Sequence, residues 1–162
     1  MEIKMSASSL RVPRQIFHWT TNSTEETIAL GRTLAKLLSP PLLLLLRGDL
    51  GAGKTTLVKG IAEALNAAEA SEVTSPTFTL LHEYQGQRDG EPVLLCHLDL
   101  YRVEQEQQLL AIGLEELPTP EAVVLVEWGE KFPALMARAD GEVTIINLGA
   151  DQRKLCLKLY LK

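Results

Sequence analysis

The sequence predicts an α/β domain with a mostly parallel central sheet, antiparallel hairpin additions and helices on both faces. Three observations carry that class. Residues 42–46 are an unbroken run of leucines of strand length, the pattern of a strand buried on both faces. A glycine-rich stretch follows at once, and behind it Leu57, Ile61 and Leu65 recur at helical spacing with Val58 beside them. Residues 122–126 repeat the buried-strand pattern farther along the chain.

The other elements follow in chain order. Residues 1–22 read as an N-terminal extension with a possible first strand, and 23–162 as one domain, since 162 residues suffice for a single sizeable core. Ser23-Thr24-Glu25-Glu26 fits a capping box, and Leu30, Leu34 and Leu38 behind it predict an amphipathic helix over about 25–38, ended by Ser39-Pro40-Pro41. The β-prone stretches 77–84 and 93–99, joined by polar 85–91 with Gly86 and Gly90, predict a hairpin. Residues 104–112 are weakly helical, and 142–148 pairs with 154–159 across Gly149-Ala150-Asp151.

Composition narrows the function classes. The chain is 46% apolar and 23% charged, the mix of an ordinary globular protein. Sixteen Lys and Arg against twenty-one Asp and Glu give a net charge of −5, so no global positive field draws it to nucleic acid or anionic lipid. Any dealing with RNA is expected to be indirect. Cys96 and Cys156 lie in apolar runs without C-x-x-C spacing and read as buried, reduced core thiols. The start Met1-Glu2-Ile3-Lys4 turns polar at once, and the longest leucine run is too short to span a bilayer. A cytoplasmic location without membrane contact is the expectation.

Gly48-Asp49-Leu50-Gly51-Ala52-Gly53-Lys54-Thr55, with Thr56 after it, satisfies G-x-x-x-x-G-K-[ST] in full, between a buried strand and an amphipathic helix as that motif requires. The glycines let the backbone wrap phosphate, and its N–H groups form an anion nest at a helix N-terminus. Lys54 then reaches β- and γ-phosphate oxygens, and the Thr55 hydroxyl ligates Mg²⁺. A P-loop NTPase fold binding ATP is the reading. It also needs an acid at the end of a neighbouring buried strand, and Asp99 and Glu127 both qualify, leaving open which holds the metal and which orients water.

Lesser candidates surround them. Ser75-Pro76-Thr77 occupies the chain position of a nucleotide-sensing switch, where Thr77 could meet magnesium or γ-phosphate, against the alternative of a Pro turn that starts a strand. His97 is a shuttle candidate, with a satisfied core histidine favoured. Trp128 reads as a core cap, and Arg102 as a phosphate-facing cation or, more commonly, a surface ion-pair partner.

The P-loop, Ser75-Pro76-Thr77-Phe78-Thr79-Leu80, His97-Leu98-Asp99-Leu100-Tyr101-Arg102 and Val126-Glu127-Trp128, in this order and spacing, resemble the TsaE (YjeE) family over about residues 23–159. The resemblance implies an ATPase that supports threonylcarbamoylation of adenosine 37 in tRNA together with the transferase proteins TsaD and TsaB. It also implies Thr55 and Glu127 at the magnesium with Asp99 as a second acid beside it, a switch-like loop at Ser75 to Thr77, and an adenine side near Thr24, Gln152 and Arg153. The chain departs from the family pattern at Ser39-Pro40-Pro41, where a glycine-containing turn is usual, and at Gly129 after Trp128. Two other functions compete. A small P-loop kinase would carry an arginine-rich lid, but Arg88, Arg102, Arg138 and Arg153 are scattered. A nucleotide-gated binding subunit would use occupancy to order an interface, with turnover incidental. A GTPase is disfavoured by the lack of N-K-x-D.

Overall fold

The computed structural model describes residues 11–160, so the polar start at Met1 to Lys4 lies outside the described residues. The chain runs β1 (Pro13–Thr21), α1 (Thr24–Ala35), β2 (Leu42–Arg47), α2 (Lys54–Ala64), β3 (Leu81–Arg88), β4 (Glu91–Asp99), α3 (Gln107–Ile112), β5 (Ala122–Glu127), α4 (Pro133–Arg138), β6 (Gly141–Gly149) and β7 (Gln152–Tyr160). These strands form one sheet in the order β1-β7-β6-β2-β5-β4-β3. Strand β2 pairs in parallel with β6 and β5, and β5 in parallel with β4. The outer pairs β1 with β7, β6 with β7 and β3 with β4 are antiparallel. The sheet is mixed, with a parallel centre and hairpins at both sides, as its leucine and valine runs predict.

Each buried strand divides its side chains between two cores. Leu42, Leu44 and Leu46 of β2 join Leu95, Val123 and Leu125 beneath α1 and α2. Leu43 and Leu45 join Cys96, Leu98, Val124 and Val126 on the other face, with Leu109 of α3 and Leu135 of α4. This is the period-2 alternation of a strand covered on both sides. Helix α1 starts as its sequence requires: the Ser23 hydroxyl accepts from the Glu26 N–H at 3.1 Å, and the Glu26 carboxylate accepts from the Asn22 N–H. It stops at Ala35, three residues before the predicted end, because the last bonds tighten to i→i−3 spacing on the way to Pro40. The Arg88 guanidinium then donates to the Lys36 and Leu38 carbonyls left over.

The hairpin differs from expectation at both ends. Residues 77–79 form a turn, and β3 begins only at Leu81. Leu80 sits at φ 67°, a left-handed conformation that cannot continue a strand, and its N–H bonds back to the Pro76 carbonyl at 2.7 Å. The predicted seven-residue connection shrinks to Asp89-Gly90, both at positive φ, because residues 85–88 and 91–92 extend the ladder. Helix α3 spans only the later part of the predicted 104–112, since the Gln108 side-chain oxygen accepts from the Glu104 and Gln105 N–H groups ahead of it. Cys96 is buried as expected, whereas Cys156 is half-buried, since β7 is covered less fully than the central strands.

Helices α1 and α2 meet where two glycines face each other. A Cβ on Gly60 would lie 1.9 Å from the Ile28 carbonyl oxygen, and one on Gly31 would lie 2.3 Å from the Leu57 carbonyl oxygen. No rotamer change relieves a clash with backbone. Gly60→Ala should therefore destabilise the fold by about 1–3 kcal/mol through overpacking, read as a lower denaturation midpoint at unchanged slope. An unshifted midpoint would refute the close crossing. Burial also pushes the Cys96 thiol up to about 12, so at pH 8 only about one molecule in ten thousand carries its thiolate. A thiol reagent should label Cys156 in the native protein and Cys96 only after denaturation.

Candidate functional site

The parallel register brings three strand ends into one row. Leu46 of β2 pairs with Glu127 of β5, and Glu127 with Asp99 of β4. Both carboxylates therefore end neighbouring parallel strands on the same face, beside the loop that leaves β2. Ligands of open α/β sheets bind at this carboxyl edge. Glu127 and Asp99 are buried, 4% and 5% exposed, and with Lys54, Thr55, Thr56, Thr77 and Trp128 they line a crevice of about 370 Å³.

Gly51 and Gly53 shape the glycine-rich loop through positive φ values of 76° and 111°, which a side chain would strain. Gly53 is the N-cap of α2, and the first intrahelical bond runs from the Leu57 N–H to the Gly53 carbonyl at 3.0 Å. The Lys54, Thr55 and Thr56 N–H groups precede that bond and stand at the positive end of the helix dipole. Leu50, Gly51 and Gly53 face the Asp99 crevice, while Gly48, Asp49 and Ala52 line a second hollow with Thr144 to Asn147 of β6; Leu50 borders both. The loop is thus a wall between two depressions.

Lys54 is the buried cation of the site, only 5% exposed. Its ammonium donates to the Gly48 carbonyl at 2.6 Å and lies 4.0 Å from the centre of the Trp128 ring. Burial pushes its pKa below the usual lysine value, opposed by the charges of Glu127, Glu130, Asp99 and Asp49. Trp128 packs against the second core, as its sequence reading expects, and in addition offers its ring to the lysine. It sits at φ 64°, a conformation costing a bulky residue about 1–3 kcal/mol, and its ring packs on Tyr101 at 5.2 Å. Glu130, two residues on, lies 3.7 Å from Arg47, the residue before the loop, and burial raises its pKa.

Asp99 organises the loop before β3. Its Oδ2 accepts from the Ser75 hydroxyl at 3.0 Å and the Thr77 hydroxyl at 3.3 Å, and its Oδ1 accepts from the Tyr101 N–H at 2.9 Å. The Ser75-Pro76-Thr77 segment is therefore pinned to the crevice wall and does not start a strand. Phe78 beyond it is 82% exposed, with the Arg102 guanidinium 4.5 Å from its ring centre. Arg102 thus lines the crevice from an aromatic face.

His97 and Glu127 form the other pair. The imidazole Nε2 and the Glu127 Oε2 are 2.6 Å apart, and the histidine is fully buried. The other ring nitrogen, Nδ1, is buried with no partner, so His97 is not the fully satisfied core histidine expected. An orphaned buried polar atom of this kind costs about 1–3 kcal/mol. Strand periodicity could have flagged the pair, because His97 lies two positions before Asp99 and must share its face.

Thr24, Gln152 and Arg153 belong to neither set of residues lining the two hollows. The Arg153 Nε donates to the Ala52 carbonyl at 2.7 Å, tying β7 to the glycine loop. Gln152 donates to Asn22 at 3.0 Å, next to the start of α1 where Thr24 stands. Gln152 and Thr24 thus stand by the α1 entry and Arg153 against the glycine loop, and none of the three lines the crevice of Asp99 and Glu127. Among the described residues, no group of three His, Cys, Asp or Glu side chains could hold a metal unaided. The donor set of Thr55, Glu127 and Asp99 is made of hard oxygens, which fits magnesium held jointly with phosphate. Among the described residues no helix is long and apolar enough to cross a membrane.

Fold and site together define a mixed α/β domain in which a glycine-rich loop, a buried lysine and two in-register carboxylates share one crevice. The chain belongs to the TsaE family, described as threonylcarbamoyl adenosine biosynthesis protein TsaE, which matches residues 21–155. It is 39% identical over 137 residues to the tRNA threonylcarbamoyladenosine biosynthesis protein TsaE of Bacillus subtilis, covering 85% of this chain and 82% of that one. The Treponema pallidum protein of the same description is 38% identical over 83% of this chain and 95% of its own. A crystal structure of Bacillus subtilis YdiB superposes with a TM-score of 0.67 at 32% identity, over 90% of this chain and 86% of that one.

Replacing Asp99 by Ala removes the acceptor for two hydroxyls and one N–H. The 75–80 loop should loosen, with the Leu80 amide exchanging hydrogen about tenfold faster or more. An exchange rate equal to that of the unaltered protein would show that the loop is held by other contacts.

Proposed function

We propose that this chain is an ATPase of the P-loop class that binds ATP with magnesium and supports threonylcarbamoylation of adenosine 37 in tRNA as a partner of TsaD and TsaB. The observation that carries the reading is the single crevice uniting the glycine-rich loop, Lys54 and the paired carboxylates Asp99 and Glu127. In this reading the N–H groups at the start of α2 and the backbone of Gly48, Asp49, Leu50, Gly51, Ala52 and Gly53 cradle the phosphates. Lys54 supplies the cation that meets the β- and γ-phosphate oxygens, and Thr56 flanks them. Thr55 and Glu127 would hold magnesium, which would supply positive charge against that developing on the transferred phosphoryl group.

The two acids divide their duties by how their oxygens are occupied. Asp99 already accepts from three donors, which leaves little lone-pair capacity for direct coordination. That favours Glu127 as the direct ligand and Asp99 as an outer partner that also holds Thr77 near the γ-phosphate. Thr24 and Gln152 by the α1 entry, with Arg153 against the glycine loop, fit the adenine side. A net charge of −5 supports indirect dealing with tRNA, through the transferase proteins.

A second reading, a nucleotide-gated binding subunit, draws support from the crevice rim. Leu50 and Phe78 there are 68% and 82% exposed, a hydrophobic edge that occupancy could order against a partner. ATP turnover measured for the chain alone, then with TsaD and TsaB, separates the two readings, since the ATPase reading requires turnover to rise with the partners.

Lys54→Ala should abolish hydrolysis and weaken ATP binding, and near-normal turnover in that variant would sink the P-loop reading. Glu127→Gln should weaken magnesium-dependent nucleotide binding. If binding survives while turnover falls roughly a hundredfold, Glu127 orients water instead. Full activity in both Glu127→Gln and Asp99→Asn would refute a shared site.

A further inference from the structure

We propose that His97 is a positioning residue for Glu127, fixing the carboxylate plane so that the metal site is formed before nucleotide arrives; the proposal rests on the metal reading given above. Strand β4 holds an anomaly. Its Val93 and Leu95 point into the core beneath α1 and α2, and position 97 continues the same face between them and Asp99. An apolar residue would extend that core. The sequence instead carries an imidazole with no exposure at all.

Its bonding is one-sided. The Nε2 hydrogen is directed at the Glu127 Oε2 across 2.6 Å, while Nδ1 has no partner. A histidine kept for stability would have both nitrogens satisfied, because a buried polar atom without a partner opposes folding. The pair is therefore unbalanced in a way that serves Glu127 and not the core. In the parallel register His97 pairs with Leu125, and Asp99 with Glu127, so the imidazole reaches diagonally across β4 and β5 to the carboxylate. A directional donor there restricts rotation of the Glu127 side chain and occupies Oε2. A hydrogen bond of this kind, given by His97 to Glu127, is the usual outer-sphere support of a metal-ligating carboxylate.

Three substitutions test this, read by calorimetric titration of magnesium chloride into protein with ADP, alongside melting temperature. His97→Leu keeps volume and removes the donor; it should raise the magnesium concentration for half-saturation about 10–100-fold. His97→Gln sets an amide nitrogen near the place of Nε2 and should return the titration to within a few-fold of the unaltered protein. His97→Asn reaches only the place of Nδ1 and should not. If His97→Leu fails to fold, the Gln and Asn variants alone decide the matter. Equal titrations for Gln and Asn, or an unchanged titration for Leu, overturn the positioning role and leave His97 as a core residue. Magnesium-independent binding in the unaltered protein would instead overturn the metal reading itself.

Discussion

The row Leu46, Glu127, Asp99 across three parallel strands is the constraint on which the site depends. Parallel pairing fixes which residues end side by side, and a one-residue slip would turn every side chain of a strand to the opposite face. The leucines and valines of β2 and β5 fill two separate cores and hold these strands in the middle of the sheet. Two acids and the exit of the glycine loop are thus aligned by apolar packing several residues away. The chemistry at the edge is set by hydrocarbon in the middle.

Beyond that row, the chain must turn abruptly. Strand β5 ends at Glu127, and Trp128 takes up a left-handed backbone immediately after it, which swings the indole over the Lys54 ammonium. A buried cation would otherwise be expensive. Here the ring face, the Gly48 carbonyl and four surrounding acidic groups offset the loss of water, and burial still depresses the lysine. The strain at Trp128 and the desolvation of Lys54 fall at one place, in keeping with the clustering of backbone strain at functional sites.

The central sheet is legible in the sequence because residues 42–46 and 122–126 have one pattern and one interpretation. The loop motif is equally readable, since its glycines and lysine fall at fixed spacing between a strand and a helix. Chain order even brings Asp99 and Glu127 forward as strand-end acids. What escapes a linear reading is tertiary. Nothing local to Thr77 says that its hydroxyl and that of Ser75 will find Asp99 more than twenty positions away, so a β-prone composition there reads as a strand. Trp128 reads as a core residue and does pack on the core, but hydrophobicity alone does not reveal the cation at its ring. The usual fate of a buried histidine points His97 toward a satisfied core role, although its spacing from Asp99 already fixes the face it occupies.

The pairing of β1 with β7 joins the first described strand to the last, Thr21 lying opposite Arg153. Arg153 is also the residue that ties β7 to Ala52 in the glycine loop. During synthesis the amino-terminal strand leaves the ribosome well before its neighbour in the sheet exists, a delay on the order of ten seconds at ordinary elongation rates. Until β7 is made, β1 lacks its pairing partner and the loop lacks one of its anchors. Docking of β1 at the sheet edge and completion of the loop's support therefore both depend on the one strand β7.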